Sequence, residues 1–179
     1  MEHQSVLAFW FEEIPQSAWW KKEPAFDALI VQRFGALLEG ARAGELHPWR
    51  GSAEGALAEI IVLDQFSRNM FRDKPESFAQ DAQALALSQE AVRRGLDKAL
   101  TQTQRIFLYL PYMHSESPLV HHESERLYRE LGLAANLDFE MKHKAIIDRF
   151  GRFPHRNAIL RRMSTPEEIE FLSQPGSSF

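Results

Sequence analysis

Apolar residues in this chain recur at helical spacing, and no stretch shows the strict alternation that is typical of a half-buried strand. The clearest segment starts at Pro24, since proline is favoured at the first position of a helix. Its apolar positions are Phe26, Leu29, Ile30, Phe34, Leu37 and Leu38. Such spacing predicts an all-α fold of about eight or nine helices, in which antiparallel neighbours are joined by short turns.

The length of the chain sets the domain prediction. Its 179 residues, of which 44% are hydrophobic, suffice for one substantial core and fall short of what two domains require. We therefore predict a single helical domain over residues 1–179, with a loose tail from residue 174. Successive helix pairs are compatible with a solenoid-like stack, although no consensus repeats at a fixed period.

Several classes of protein are excluded by what the sequence lacks. Cysteine is absent, which excludes disulfides, thiolate metal sites and cysteine nucleophiles. The first residues do not form a basic leader, and no apolar run approaches the roughly 18 residues of a membrane span. We expect a soluble cytoplasmic protein. Glycine-rich phosphate loops, a nucleophile elbow and EF-hand spacing are also absent, so no cofactor is predicted.

Charge is distributed unevenly along the chain. Residues 1–140 contain 14 Lys and Arg against 21 acids, whereas residues 141–163 contain 7 against 1. A basic segment is typical of nucleic-acid binding, but the net charge of −4 and the acidic remainder do not favour a nucleic-acid partner. A patch that recognises a small anionic ligand or an acidic peptide fits this distribution better.

The centre of the basic segment is RFGRFPHRN at residues 149–157. Gly151 is a favoured helix stop and Pro154 a favoured helix start, so a helix, a tight corner and a second helix are predicted. That prediction places His155, Arg156 and Asn157 in the first turn of the new helix, where the dipole favours an anion. Candidate ligand-binding residues are therefore Arg149, Arg152, His155, Arg156 and Asn157. Either an internal carboxylate or a bound anion can compensate the cations.

A second informative segment contains Asp64 and Arg68. Leu57, Ile60 and Ile61 define an apolar stripe, and the positions that continue the stripe are these two charged residues. The i,i+4 spacing allows them to meet on a helix, although burial of the pair requires further hydrogen bonds. Two interpretations stay open: a buried ion pair that fixes helix register, or a charged group that faces a polar cavity and binds a ligand.

Three residues are candidates for acid–base chemistry. His114 and Glu116 follow Pro111, where we predict a bend, and Ser117-Pro118 starts the next helix, so both lie at a corner between helices. His143 lies on an apolar stripe, a position typical of a hydrogen-bonded core histidine. The neighbouring pair His121-His122 is interpreted as mainly surface. No HExxH-type spacing is present, and no metal site is predicted.

Several motifs are distributed along the chain: FWF at 9–11, WW at 19–20, LDQFSRN at 63–69, FAQD at 78–81, LPYMHSE at 110–116 and RFGRFPHRN at 149–157. Together they resemble one bacterial family, the domain of unknown function 924. The resemblance covers nearly the whole chain. It implies an all-helical, tetratricopeptide-repeat-like arrangement in a right-handed superhelix and no established activity. Two positions depart from the pattern: a glycine is expected at Arg161, and an acid or amide near His121-His122.

Three hypotheses about function follow. The first is a binding module in which Arg152 and Arg156 clamp an anion, Asn157 orients it, and Asp64 and Glu116 are internal counter-charges. A hydrolase or lyase is the second, with His114 and Glu116, or His143, as acid and base and the arginines stabilising an oxyanion. The third is a structural interaction module in which the polar residues form a buried salt-bridge network.

Overall fold

The computed structural model describes residues 2–178, and the regular structure in this range is entirely helical. Over these residues it contains nine α-helices. They are α1 (His3–Ala8), α2 (Pro24–Arg42), α3 (Ala53–Ile61), α4 (Ser67–Met70), α5 (Asp81–Arg93), α6 (Gln102–Met113), α7 (Pro118–Leu131), α8 (Ala134–Phe150) and α9 (Pro166–Leu172). The predicted all-α class and helix number are confirmed for the described range. Within it, no helix combines the length and apolar character that a membrane crossing requires.

Short helical turns of other types connect or extend these helices. Two are wide π-helical turns, Phe9–Glu13 after α1 and Val62–Phe66 after α3. Five are tight 3₁₀ turns: Gln16–Trp20, His47–Gly51, Pro75–Phe78, Leu96–Ala99 and Pro154–Arg156. Single π-helical turns inside helices frequently accompany functional sites, which directs attention to Val62–Phe66 and the candidate residue Asp64 within it.

The described chain divides into two compact units, which are considered separately here. The first unit contains the residues up to Arg72 together with Glu76–Pro111, and the second contains Asp73–Pro75 with the residues from Tyr112 onward. The single-domain expectation and the superhelical arrangement implied by the resemblance stay predictions.

The first unit is built around buried aromatic side chains. Trp10 is fully buried and its ring contacts the rings of Trp19, Phe26, Phe66 and Phe107. Against this cluster α3 is buried almost throughout. The turn before α3 comes so close that a Cβ atom on Gly55 would lie 2.1 Å from the backbone oxygen of Trp49. A glycine is required here for the backbones to approach.

In the second unit, α7 and α8 pack against each other and α9 packs on the turn Pro154–Arg156. Its core contains Ile146, Ile147 and Phe153, with Phe150 and Phe171 packed against them. As predicted, α8 ends at Gly151, whose φ of 68° lies in the left-handed region that glycine adopts without strain. At the start of α9, Thr165 and Glu168 form a complete capping box.

Pro111 lies inside α6, which continues to Met113, and the bend predicted there stays a prediction. The local prediction at Pro154 is wrong, because this residue begins a single 3₁₀ turn instead of an α-helix. The chain then turns back through Arg161, whose φ is 55°, and the Arg162 N–H donates to the Asn157 carbonyl at 2.8 Å. Because this hydrogen bond closes a turn, His155, Arg156 and Asn157 do not lie in the first turn of an α-helix.

Candidate functional site

The candidate residues belong to different units. Asp64 and Arg68 lie in the first unit. The second unit contains the other eight, which are His114, Glu116, His143, Arg149, Arg152, His155, Arg156 and Asn157. Each group is therefore described within its own unit.

In the first unit, Asp64 and Arg68 meet as their spacing predicts. Their side chains form an ion pair of 3.0 Å, and the same guanidinium nitrogen donates to the Asp64 carbonyl at 2.9 Å. Arg68 also donates two parallel hydrogen bonds to Asp81, of 2.9 and 3.0 Å. Because burial of a charge is costly without partners, two carboxylates around one guanidinium explain how Arg68 is tolerated in this position. The buried ion pair, one of the two interpretations, is present and extends to Asp81.

The wide turn at Val62–Phe66 contributes to this arrangement. Gln65 donates from its side-chain nitrogen to the carboxylate of Asp64 at 2.6 Å, although adjacent residues of an α-helix point about 100° apart. A π-helical turn contains more residues and therefore reduces that angle. Sequence reasoning did not identify these two partners, because Asp81 stands 13 residues from Arg68 and Gln65 is adjacent to Asp64, from which it would point away on a regular α-helix.

In the second unit, three arginines each lie against a carboxylate. Arg152 donates two hydrogen bonds to Glu168, of 2.6 and 2.7 Å, and a third to the Met163 carbonyl. Arg149 pairs with Glu167 at 3.0 Å on the surface. Arg162 donates to both oxygens of Glu116, at 2.6 and 2.9 Å. An internal carboxylate, one of the two compensations left open for this basic segment, is therefore present for Arg149 and Arg152.

Glu168 is the most constrained of these carboxylates. The hydrogen bond from Arg152 lowers the pKa of Glu168 to about 2, while burial opposes the shift and the Thr165 N–H adds to it. Its oxygen also accepts from the Asn157 side chain at 3.2 Å. Since Glu168 starts α9, these bonds attach α9 to the corner after α8.

Asn157 links the Arg152–Glu168 pair to the Arg162–Glu116 pair. Its side-chain nitrogen donates to Glu168 and to the Ser164 hydroxyl, and its oxygen accepts from Arg162 at 3.0 Å. Glu116 in turn accepts the Phe153 N–H at 2.7 Å. One polar network therefore runs from Arg152 to Glu116. In this network Asn157 orients protein groups, and Glu116 is a counter-charge for Arg162, which the sequence did not single out.

A different group of basic side chains surrounds the ring of Phe153, which is fully buried. The Arg156 guanidinium lies over this ring at 4.6 Å from its centroid. Ring centroids of three histidines lie within 6.2 Å of the Phe153 centroid: His155 at 5.6 Å, His143 at 5.7 Å and His121 at 6.2 Å. We call His114, His121, His143, His155 and Arg156 the basic cluster, because the charge of His114 also acts on His143.

His143 is neutral in this cluster at ordinary pH. Burial lowers the pKa of His143 to about 3, against a hydrogen bond to the Phe139 carbonyl that raises it, and nearby His114, His121 and His155 lower it further. A carbonyl oxygen only accepts, so Nδ1–H of His143 donates to Phe139 at 2.8 Å and the neutral ring has its lone pair on Nε2. The predicted hydrogen-bonded core histidine is confirmed. Such a group is a weak base near neutral pH.

His121 contradicts its surface interpretation, whereas its neighbour His122 is exposed as predicted. The side chain of His121 is fully buried, and its Nδ1 lies 2.7 Å from the carboxylate of Glu140, which is also fully buried. Glu140 is 19 residues away on α8, so no local pattern connects the two. Among residues 2–178, no three His, Asp or Glu side chains are arranged to hold a metal ion.

Comparisons with known proteins place the chain in a group without an established activity. A family model described as a bacterial protein of unknown function, DUF924, matches residues 6–176. The chain is similar to a solved structure of a protein of unknown function from Agrobacterium tumefaciens, with 39% sequence identity and a TM-score of 0.90. That similarity covers 95% of this chain and 96% of the other. No curated protein matches the chain.

Proposed function

Because this chain belongs to the bacterial DUF924 family, for which no activity is established, we propose a function from its geometry: the basic cluster of the second unit binds a small anion. The ligand class is a phosphate or a carboxylate, either as a metabolite or at the end of an acidic peptide. Arg156 supplies the fixed positive charge and the guanidinium donors, and His114 and His155 supply imidazole donors at the rim.

The observation that carries this proposal is the concentration of three imidazoles and one guanidinium around Phe153, while the charge of a fourth imidazole, that of His114, acts on His143. His114 and His155 are half-buried and therefore reach solvent, whereas Arg156 and His143 are buried beneath. Partial burial strengthens the attraction between a guanidinium and an anion, because less water screens the two charges. Imidazoles at the rim add donors that a phosphate or carboxylate can use.

A structural role for the polar residues is the second candidate, and the arginine–carboxylate pairs favour it. Arg152, Arg149 and Arg162 hold Glu168, Glu167 and Glu116 in bonds that attach α9 and order the corner after α8. Acid–base catalysis receives less support, because the low pKa of His143 makes it a weak base and Glu116 already accepts from Arg162.

A thermal-shift screen with inorganic phosphate and a panel of phosphorylated and carboxylated metabolites separates the candidates. A ligand at 100 times its Kd adds about 2.7 kcal/mol to the unfolding free energy, which raises Tm by several degrees. We expect this shift in the native protein and its loss in Arg156→Met, which removes the charge but keeps an apolar chain over Phe153. The matched control is Arg149→Met, since Arg149 is exposed and pairs with Glu167.

The anion-binding proposal fails if no compound stabilises the native protein beyond a salt of equal ionic strength. It also fails if Arg149→Met abolishes the shift as completely as Arg156→Met. In that case the structural role is the better account of the arginine-rich stretch.

A further inference from the structure

The function proposed above assigns the ligand donors to Arg156, His114 and His155, and it assigns no ligand contact to the buried pair of His121 on α7 and Glu140 on α8. Both side chains are fully buried, and Nδ1 of His121 lies 2.7 Å from Oε1 of Glu140. On the other side of the imidazole, Nε2 lies 2.8 Å from the backbone oxygen of Ser115. The three groups form a continuous chain from the interior of the α7–α8 pair to the corner that precedes α7.

The chemistry of the Ser115 carbonyl determines which atom donates in its hydrogen bond with His121. A backbone carbonyl only accepts hydrogen bonds, so Nε2 of His121 carries a proton and donates it to Ser115. The proton between Nδ1 and Glu140 belongs to one or the other, and both forms keep the Nε2–H donor toward Ser115. Over the described residues, Oε2 of Glu140 has no hydrogen-bond partner. The hydrogen bonding of Glu140 is therefore directed at His121.

Ser115 stands between two residues whose positions matter for the second unit. His114 precedes it and belongs to the basic cluster. Glu116 follows it and holds both Arg162 and the N–H of Phe153, the residue at the centre of the cluster. The Ser115 carbonyl lies in the rigid peptide plane that joins Ser115 to Glu116, and His114 is connected to this plane through the Cα of Ser115, so a shift of the carbonyl is transmitted to both neighbours.

A buried histidine–carboxylate pair is costly to desolvate, so its presence is weak evidence for a stabilising role. At metal sites, a carboxylate that does not touch the metal often accepts a hydrogen bond from a ligand histidine and so orients it. Loss of such a carboxylate weakens metal binding by about 10–100-fold. From these contacts we propose that Glu140 and His121 are positioning residues for the anion site, acting through the Ser115 carbonyl on His114 and Glu116. This inference rests on the proposed function of the basic cluster.

The test compares two substitutions of Glu140 with a control on the same helix. Glu140→Leu removes the acceptor of His121, whereas Glu140→Gln keeps a hydrogen-bonding side chain of the same length, and the amide donates to Nδ1 while Nε2–H stays on Ser115. Asp138→Asn, an exposed substitution on α8, is the control. Two quantities are measured: the Kd for inorganic phosphate by titration, and the NMR signals of the amides at 114–117 without ligand.

We expect Glu140→Leu to shift the amide signals at 114–117 and to raise the phosphate Kd by about tenfold or more. Glu140→Gln should restore both to near the native values, and Asp138→Asn should change neither. A merely structural role would lower Tm in Glu140→Leu while the folded protein kept its native Kd, and that outcome overturns the inference. Unchanged amide signals at 114–117 in Glu140→Leu would also overturn the inference.

One further measurement keeps the inference decidable if Glu140→Leu does not fold. In the native protein, ¹⁵N NMR of the imidazoles should show Nε2 of His121 protonated and coupled to the Ser115 carbonyl, and its absence contradicts the inference. Failure of the proposed function can be distinguished from failure of this inference. If the native protein binds no phosphate, the proposed function fails, while the amide signals at 114–117 in Glu140→Gln and Glu140→Leu still test whether Glu140 positions the corner.

Discussion

The LDQFSRN segment of the first unit and the RFGRFPHRN corner of the second organise their arginines differently. In the first, one guanidinium lies between two carboxylates, with Asp64 almost fully buried and the Arg68 side chain 19% exposed. In the second, Arg149 and Arg152 bind two acids of one short helix, and Arg156 packs over an aromatic ring beside histidines. The first segment places one arginine between two acids, whereas the second holds two arginines in ion pairs and a third against an aromatic ring.

The two segments also differ in how far along the chain their arginines find their partners. Asp64 stands four residues before Arg68, so part of that site is local. Glu168 and Glu116 stand 16 and 46 residues from the arginines they bind. Part of the first site therefore follows from spacing within one segment, whereas the arginines of the second depend on acids that packing brings from distant positions.

The largest expected effect compares Arg68→Met with Arg152→Met. Arg68→Met leaves Asp64 and Asp81 facing each other without a cation, and we expect a loss of about 3–5 kcal/mol in unfolding free energy. Arg152→Met should cost clearly less, because Glu168 still accepts from Asn157 and the Thr165 N–H. Urea unfolding of both variants measures the difference.

The matched control for this comparison is Arg93→Met. Arg93 pairs with Glu90 on the surface, where an ion pair contributes little, so no measurable change is expected. Equal losses for Arg68→Met and Arg152→Met would contradict the contrast between the two segments.

A smaller effect concerns the basic cluster and pH. Because the folded-state pKa of His143 is lowered from 6.5 to about 3, the unfolded chain binds a proton in this interval that the folded chain does not. The contribution of neutral His143 to the unfolding free energy is therefore fully present above pH 6.5 and is lost as the pH falls toward 3. The slope from one such group is at most about 1.4 kcal/mol per pH unit.

The variant His143→Gln, whose amide can also donate to the Phe139 carbonyl, should flatten the unfolding free energy between these two pH values. Chemical denaturation at a series of pH values measures the slope. An unchanged slope in this variant would show that another group dominates acid sensitivity. His122→Gln is the control, since His122 is exposed and its change should leave the slope as it is.

The smallest expected effect is a gain in stability at Arg161. Its φ of 55° lies in the left-handed region, which costs an L-residue about 1–2 kcal/mol relative to glycine, and the greater freedom of glycine in the unfolded chain offsets part of this. Arg161→Gly should therefore stabilise the protein by about 0.5–1 kcal/mol, measured as a rise in Tm. Arg161→Ala removes the same charge but keeps the backbone strain, and an equal gain in that variant would exclude the backbone explanation.

Arg161 also shows how resemblance and geometry complement each other. The resemblance predicts a glycine at this position, and the positive φ of Arg161 is a backbone conformation that glycine adopts without strain. The expectation of an α-helix from Pro154 was wrong at the same corner. Proline and the charges after it are compatible with a helix start, but the reversal at Arg161 depends on the turn that Arg162 and Asn157 close.

The candidate site was predictable only in part. His143 on an apolar stripe and the Asp64–Arg68 pair follow helical periodicity, and both are present as expected. Burial of His121 was missed because its partner Glu140 lies on another helix. The roles of Glu168 and Arg162 were missed for the same reason, since each stands outside the stretch that attracted attention.

By itself, the sequence determined the all-α class, the end of α8 at Gly151 and the capped start of α9 at Thr165. These features depend on the conformational preferences of single residues and on spacings of three or four, which operate within one helix. Only the tertiary structure decided which carboxylate each arginine binds and which bases gather around Phe153. Those choices depend on side chains that packing brings together from distant positions, and helical periodicity contains no information about them.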